Sequence, residues 1–338
     1  MKSVLRIFIV FLVVSSAFCN ISNNSLVQAK DYKVAMITSE GGLGDRSFND
    51  SGNAGLERAK KELGIDFKVV EPSDVSEGET YLRQLADAGM DLIITMDLGH
   101  KDVLESIASE YPDTQFVIVN TIAEGDNISS IMFKEQEASF LVGALAALIT
   151  TDKNVENTNS ESKISFIGGI DSPGINIFLT GYTSGAHYIN DKIEVLSSYS
   201  NSFADPAKGK EIALSQIAEG SDIVFQVAGA TGEGIIQAAK EKSVFAIGVD
   251  SNQDDIAPGY VLTSVLKRVD NALYSLIESG VSGKEYQKVY ELGLKEEGVQ
   301  LTEMEHTKDM IPKEYLNKIE EIKEKIINGE IEVEDTRK

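Results

Sequence analysis

From Tyr32 onward short apolar, β-rich runs alternate with helix-length segments, and the alternation starts afresh after a polar stretch at 150–163. In the first half the runs 34–38, 67–70, 91–96, 116–120 and 128–133 read as strands. Helices are expected over 47–63, 77–88, 102–110 and 137–149. Ser47 stands as N-cap of the first helix, with Asp50 completing a box-like first turn. In the second half, strands at 164–167, 193–199, 222–227 and 244–249 alternate with helices at 173–188, 206–218 and 232–242. A short strand at 261–264 leads into a helix from Leu266 to Gly280. Tyr315, Ile319, Ile322 and Ile326 recur at helical spacing, so a terminal helix is expected, with 329–338 frayed beyond it. This rhythm calls for parallel sheets covered by helices on both faces. At 338 residues the chain exceeds what one core supports, so the repetition predicts an α/β fold of two doubly wound lobes.

The balance of 42% hydrophobic and 25% charged residues is that of a soluble globular protein. A net charge of -23 argues against nucleic acid as a partner and against electrostatic docking on anionic lipid. The first residues stand apart from the fold. Lys2 and Arg6 precede an apolar run from Ile7 to Val14 and the small-residue region Ser15-Ser16-Ala17, which reads as a secretory signal. Cys19 is the only cysteine, which excludes an intrachain disulfide and a cysteine-based metal site. Its place after the apolar run, ahead of the polar run 20–30, resembles a bacterial lipoprotein site, although Phe18 replaces the usual small residue. The lipoprotein reading is preferred; cleavage after Ala17 or Ala29 is the alternative.

Two segments mark where a ligand would sit. Gly44-Asp45-Arg46-Ser47-Phe48-Asn49 and Gly248-Val249-Asp250-Ser251-Asn252-Gln253 each follow an apolar strand, at the edge where open α/β sheets bind ligands. On local grounds Phe48 reads as core or as a stacking face. Asp250 reads equally as a turn cap, Lys267 as a helix-surface lysine, and Asp45 as a cap or a partner of Arg46, kept as a site candidate. Gly42-x-Gly44 lacks the third glycine of a dinucleotide fingerprint, and no Lys-Ser or Lys-Thr follows as a phosphate loop requires. Ser264-x-x-Lys267 has none of the companion motifs of penicillin-interacting enzymes. His100, His187 and His306 have no metal-ligand spacing, and no metal or cofactor is expected. Only His100 falls near a strand edge, where it reads as an exposed polar turn in preference to a donor to ligand.

Five motifs then carry a resemblance: 44–51, Glu137-Ala138-Ser139-Phe140-Leu141-Val142-Gly143, 228–234, 248–253 and Leu262-Thr263-Ser264-Val265-Leu266-Lys267. In this order they resemble the basic membrane protein family of purine nucleoside receptor A-like lipoproteins, over about 32–293. The resemblance implies the type I periplasmic-binding-protein fold, with three crossovers at a hinge. Residues 31–132 and 264–285 would form lobe I; 133–263 and 286–330 would form lobe II. It implies a monomeric, exported, lipid-anchored binder that hands a nucleoside to an ABC permease and ATPase, with no catalysis. Phe48 and Phe203 would sandwich the base and Asp102 would accept from the base edge. Asp250 and Lys267 would hold the ribose hydroxyls, assisted by Asn49 and the Gly229 backbone. Two stretches depart from the family pattern: 96–101, and Ala230 where a second glycine is common. A sugar or other small metabolite, or a sensing role at a membrane receptor, are the alternatives. An enzyme acting on nucleosides would need a general acid or a metal.

Overall fold

The protein, seen as a computed structural model, is described over residues 32–159 and 161–337. Cys19 and the signal-like segment lie outside the described residues. The first half forms β1 (Lys33–Ile37), α1 (Phe48–Leu63), β2 (Asp66–Val70), α2 (Gly78–Asp87), β3 (Leu92–Thr95), α3 (Lys101–Ile107), β4 (Gln115–Val119) and β5 (Ile128–Phe133). After α4 (Glu135–Thr150), the second half forms β6 (Lys163–Gly168), α5 (Pro173–Ile189), β7 (Glu194–Tyr199), α6 (Pro206–Ala218), β8 (Ser221–Val227), α7 (Thr231–Lys242), β9 (Phe245–Asp250) and β10 (Val261–Lys267). The chain closes with α8 (Val269–Val281), β11 (Val289–Leu292), β12 (Val299–Leu301) and α9 (Lys313–Ile327).

Two six-stranded sheets result, in the orders β11-β5-β4-β3-β1-β2 and β12-β10-β9-β8-β6-β7. Among the described residues every strand pairing is parallel except β10 with β12. This is the expected two-lobed α/β architecture. Side-chain alternation along each strand explains the layering. In β1, Val34 and Met36 pack on one face in one cluster with Leu56 of α1 and Leu273 of α8. Ala35 and Ile37 pack on the other with Leu82 of α2 and Leu104 of α3. In the second sheet Phe166 and Phe225 join α4 and α5, while Ile167 and Val224 join Ala213 of α6 and Ile235 of α7.

The strands revise three expectations. β10 runs through Lys267 rather than stopping at Ser264, because β12 pairs antiparallel with 265–267, matching Val265 to Leu301 and Lys267 to Val299. Lys267 therefore ends a strand instead of riding on a helix. β11, which has no strong period in sequence, adds to the first sheet beside β5. Residues 264–267 thus belong to the second sheet and 289–292 to the first, so the chain passes between sheets near 134, 268 and 293–298. The segment after α9 does not fray along its whole length, since Arg337 is tied to Phe133, Glu135 and Asp335.

α4 and α5 cross closely because glycine leaves room. A Cβ at Gly143 would overlap the carbonyl oxygen of Tyr182, and one at Gly185 would overlap that of Phe140. Gly143→Ala must therefore push two buried helices apart, at about 1–3 kcal/mol. Its thermal midpoint should fall by at least about 2 °C; an unchanged midpoint would mean that the helices separate freely.

Candidate functional site

The carboxyl ends of the two sheets face each other, and the N-terminal end of α1 bridges them. Each residue of 44–49 has a separate task. Gly44 has φ +90°, a left-handed turn in which Asp45 folds back under the helix. The Asp45 carboxylate accepts the backbone N–H groups of Ser47, Asn49 and Asp50 at 2.9–3.1 Å, and the Asn49 amide at 3.0 Å. Asp45 thus caps α1, and its carboxyl is raised by burial despite these donors. Ser47 holds the cap position but makes no side-chain cap bond. Its hydroxyl instead donates across the cleft to Asp250 at 2.5 Å. The correction has a physical reason: Asp45 already satisfies the free N–H groups, leaving the serine available. Asn49 spends its carbonyl on Ser39 N–H and hydroxyl, so it fixes the loop after β1.

The opposite edge is equally occupied. Asp250 ends β9 at φ +64°, while Arg46 across the cleft has φ +49°. Left-handed non-glycine residues of this kind cost energy and are held by surrounding contacts. Ser251 donates to the Ser47 carbonyl at 3.1 Å, and the Gln253 amide donates to the Arg46 carbonyl at 3.0 Å. Arg46 pairs with Glu233 at 3.5 Å. Elsewhere along the cleft Glu40 accepts from Ser202 and from the Phe203 N–H, at 3.2 and 3.3 Å. These contacts join the lobes in a closed arrangement.

Behind Asp250 lies a buried cation. Lys267 is 3% exposed, and its ammonium meets Glu135 at 2.8 Å. Three phenyl rings surround it: Phe48 at 4.9 Å, Phe133 at 5.2 Å and Phe178 at 5.9 Å from Nζ to centroid. Such cation–π contacts strengthen when desolvated. Asp250 is pushed up to about 6 by burial, opposed by the Lys267 charge and the Ser47 bond, and raised further by Asp45 and Glu135.

The expected site residues thus separate into groups. Asp45, Phe48, Asn49, Asp250 and Lys267 come together around the α1 terminus. Phe203 lies over Gly169 and Gly229, where a Cβ at Gly169 would overlap the ring and one at Gly229 would press on it. Phe48 and Phe203 make no ring contact with each other. Asp102 is exposed in the first turn of α3 and has no hydrogen bond to either group. His100, expected in an exposed turn, is buried: it meets Thr95 Oγ1 at 2.6 Å and the Val75 carbonyl at 3.2 Å, and burial lowers its pKa. An open groove of about 640 Å³ beside the lobe contact is lined by Asp250, Arg46, Asp50, Asn252, Arg268 and Asp270. Phe48, Phe203, Asp102 and Lys267 do not line it. Among the described residues no cluster of three or more His, Cys, Asp or Glu is placed to hold a metal, and no helix is long and apolar enough to cross a membrane.

Sequence reasoning missed Ser47 as a cross-cleft donor, Glu135 as the lysine's partner, and Phe133 and Phe178 as its walls. Only Glu135 carried a signal: a carboxylate opening a helix that is otherwise nearly all apolar.

The model of the family Bmp, described as ABC transporter substrate-binding protein PnrA-like, matches residues 32–337. The chain belongs to this family. Bmp proteins are extracytoplasmic substrate-binding components, which agrees with two lobes closing over a cleft. Basic membrane protein D of Borreliella burgdorferi is 32% identical over 339 residues, covering 96% of this chain and 93% of that protein. An uncharacterised lipoprotein of Pyrococcus abyssi is 31% identical over 326 residues, covering 89% and 79%. The crystal structure of a solute-binding protein of an ABC transporter system from Aeropyrum pernix superposes with a TM-score of 0.83 at 30% identity, covering 89% of this chain and 92% of that one.

The closed contact carries a pH dependence. Opening would fully expose the half-buried Asp250 and take Asp45 away, so its carboxyl would return from about 6 toward 3.8. The closed form therefore binds more protons between about pH 4 and 6, so acid favours closure and rising pH favours opening. Small-angle scattering of the unliganded protein should give a smaller radius of gyration near pH 5 than at neutral pH. Asp250→Asn should remove the difference; an equal radius in the wild type would mean that Asp250 stays buried in both arrangements.

Proposed function

We propose that this substrate-binding protein captures a nucleoside, of the purine class, and delivers it to an ABC permease as a lipid-anchored monomer. The observation that carries this reading is the Asp250 carboxylate at the cleft with the buried Lys267 close enough for its charge to act on it. A lysine ammonium has three donors. Glu135 takes one, and among the described residues no other hydrogen-bond partner meets the Lys267 ammonium. A pair of vicinal hydroxyls would donate to the Asp250 carboxylate and accept from Lys267, with charge-assisted bonds about twice as strong as neutral ones. Phe48 on one lobe and Phe203 on the other supply faces for a base, each worth roughly 0.5–1.5 kcal/mol beyond area burial. Asn49 and the Gly229 backbone border these groups.

Asp102 has the chemistry for the base edge, and among the described residues nothing bonds its carboxylate. Its distance in bonding from the Asp250–Lys267 group is what favours the second reading, a sugar held through its hydroxyls alone. We read the protein as a binder rather than an enzyme because the carboxylates at the cleft already serve as cap, bridge and ion-pair partner. The tether would be a lipid on Cys19.

Calorimetric titration of ligand-stripped protein with adenosine, guanosine, inosine, uridine and ribose separates these readings. Submicromolar binding of purine nucleosides with no heat from ribose is expected, and Asp250→Ala should weaken it at least about tenfold, the worth of one charged hydrogen bond. Binding of ribose but no nucleoside would replace the reading with a sugar. Cys19→Ser should release the protein from the membrane fraction; unchanged partitioning would remove the lipid anchor.

A further inference from the structure

Glu135 has a second cation. Its Oε1 faces Lys267, while its Oε2 meets Nη1 of Arg337 at 3.0 Å, from a residue 202 positions further along the chain. The Arg337 side chain is 10% exposed, unusual for an arginine in a segment with no regular structure. Its Nη2 donates to the carbonyl of Phe133 at 2.7 Å. Nε and Nη2 also donate to the two carboxylate oxygens of Asp335, at 3.0 and 3.2 Å, which holds the guanidinium plane in place.

The position of these partners matters. Phe133 ends β5 in the first sheet and Glu135 opens α4, which packs on the second; only Lys134 lies between them. Arg337 therefore bonds both sides of the first passage between lobes. It also occupies the carboxylate oxygen that would otherwise close on Lys267 in a two-point grip. A carboxylate offers about four acceptor positions, and a guanidinium fork suits planar, multi-point contact better than an ammonium.

We infer that Arg337 is a positioning residue, a clasp that spans the hinge and orients Lys267 toward the ligand by sharing Glu135. The inference deepens the nucleoside reading and rests on it only for the ligand titration.

The test uses the full chain with Arg337→Gln, and with Arg58→Gln as a control for loss of a surface ion pair. Hydrogen exchange of the unliganded proteins should be at least about tenfold faster at 132–137 and 265–268 in Arg337→Gln, the loss of one buried charged bond, and unchanged in the control. Inosine affinity should fall about tenfold in Arg337→Gln alone. Wild-type exchange at both segments would overturn the clasp, and faster exchange with unchanged inosine affinity would reduce Arg337 to a structural tie and overturn its positioning role. If the wild type itself takes no inosine, the nucleoside reading fails, and exchange alone decides: acceleration supports the clasp and none overturns it. Should Arg337→Gln not fold, Arg337→Lys keeps the charge without the fork. Exchange at least threefold faster is then expected, and wild-type exchange would overturn the clasp.

Discussion

The structure turns on the ionic contacts of the first turn of α4, where all three passages between the lobes are tied together. Glu135 holds Lys267, the last residue before the second passage, and Glu137 accepts the N–H of Leu294 in the third at 2.8 Å. Arg268 N–H donates to the carbonyl of Gly298 at 2.9 Å, which joins the second passage to the third. A helix N-terminus favours carboxylates, since its free N–H groups carry partial positive charge. Burying an ion pair is expensive unless every charge finds partners. Here Glu135 receives two cations, and Lys267 receives one carboxylate and three aromatic faces. The hinge thus carries specific ionic contacts beside the apolar cluster that spans both lobes.

From that point the cleft is organised by a chain of contacts that run from lobe to lobe. Lys267 lies over the ring of Phe48, the first residue of α1. One residue earlier, Ser47 reaches Asp250, whose charge is itself biased by Lys267. Because Asp45 takes over the capping task, the Ser47 hydroxyl is free to cross the cleft. A ligand entering between Asp250 and Ser47 would exchange a protein hydroxyl for its own. That gives closure and binding a shared set of partners, the condition under which a ligand shifts an equilibrium between two arrangements.

Much of this was legible in the chain. The βα rhythm, restarted after 150–163, fixed the two-lobed α/β class, because side-chain period reports which face of each element is buried. Both cleft segments were visible as polar turns after apolar strands. The boundaries that failed share one cause. Sequence alone ends β10 at Ser264, because Val265-Leu266-Lys267 has no strong strand signal of its own; it is a strand because β12, at Val299–Leu301, pairs with it. Asp102 and Phe203 were placed by family resemblance, and the closed arrangement leaves Asp102 outside the bonded cluster.

What the sequence determined by itself is local: strand and helix periods, the glycines that permit left-handed turns, and the family through the order of its motifs. What only the tertiary structure decided is which distant groups meet. Ser47 with Asp250 and Glu135 with both Lys267 and Arg337 are pairings across 203, 132 and 202 positions. Periodicity carries no information over such separations, because it describes the burial of a residue and not the identity of its partner. Burial then turned these pairings into function, since removing water makes the charge on one residue felt by the next.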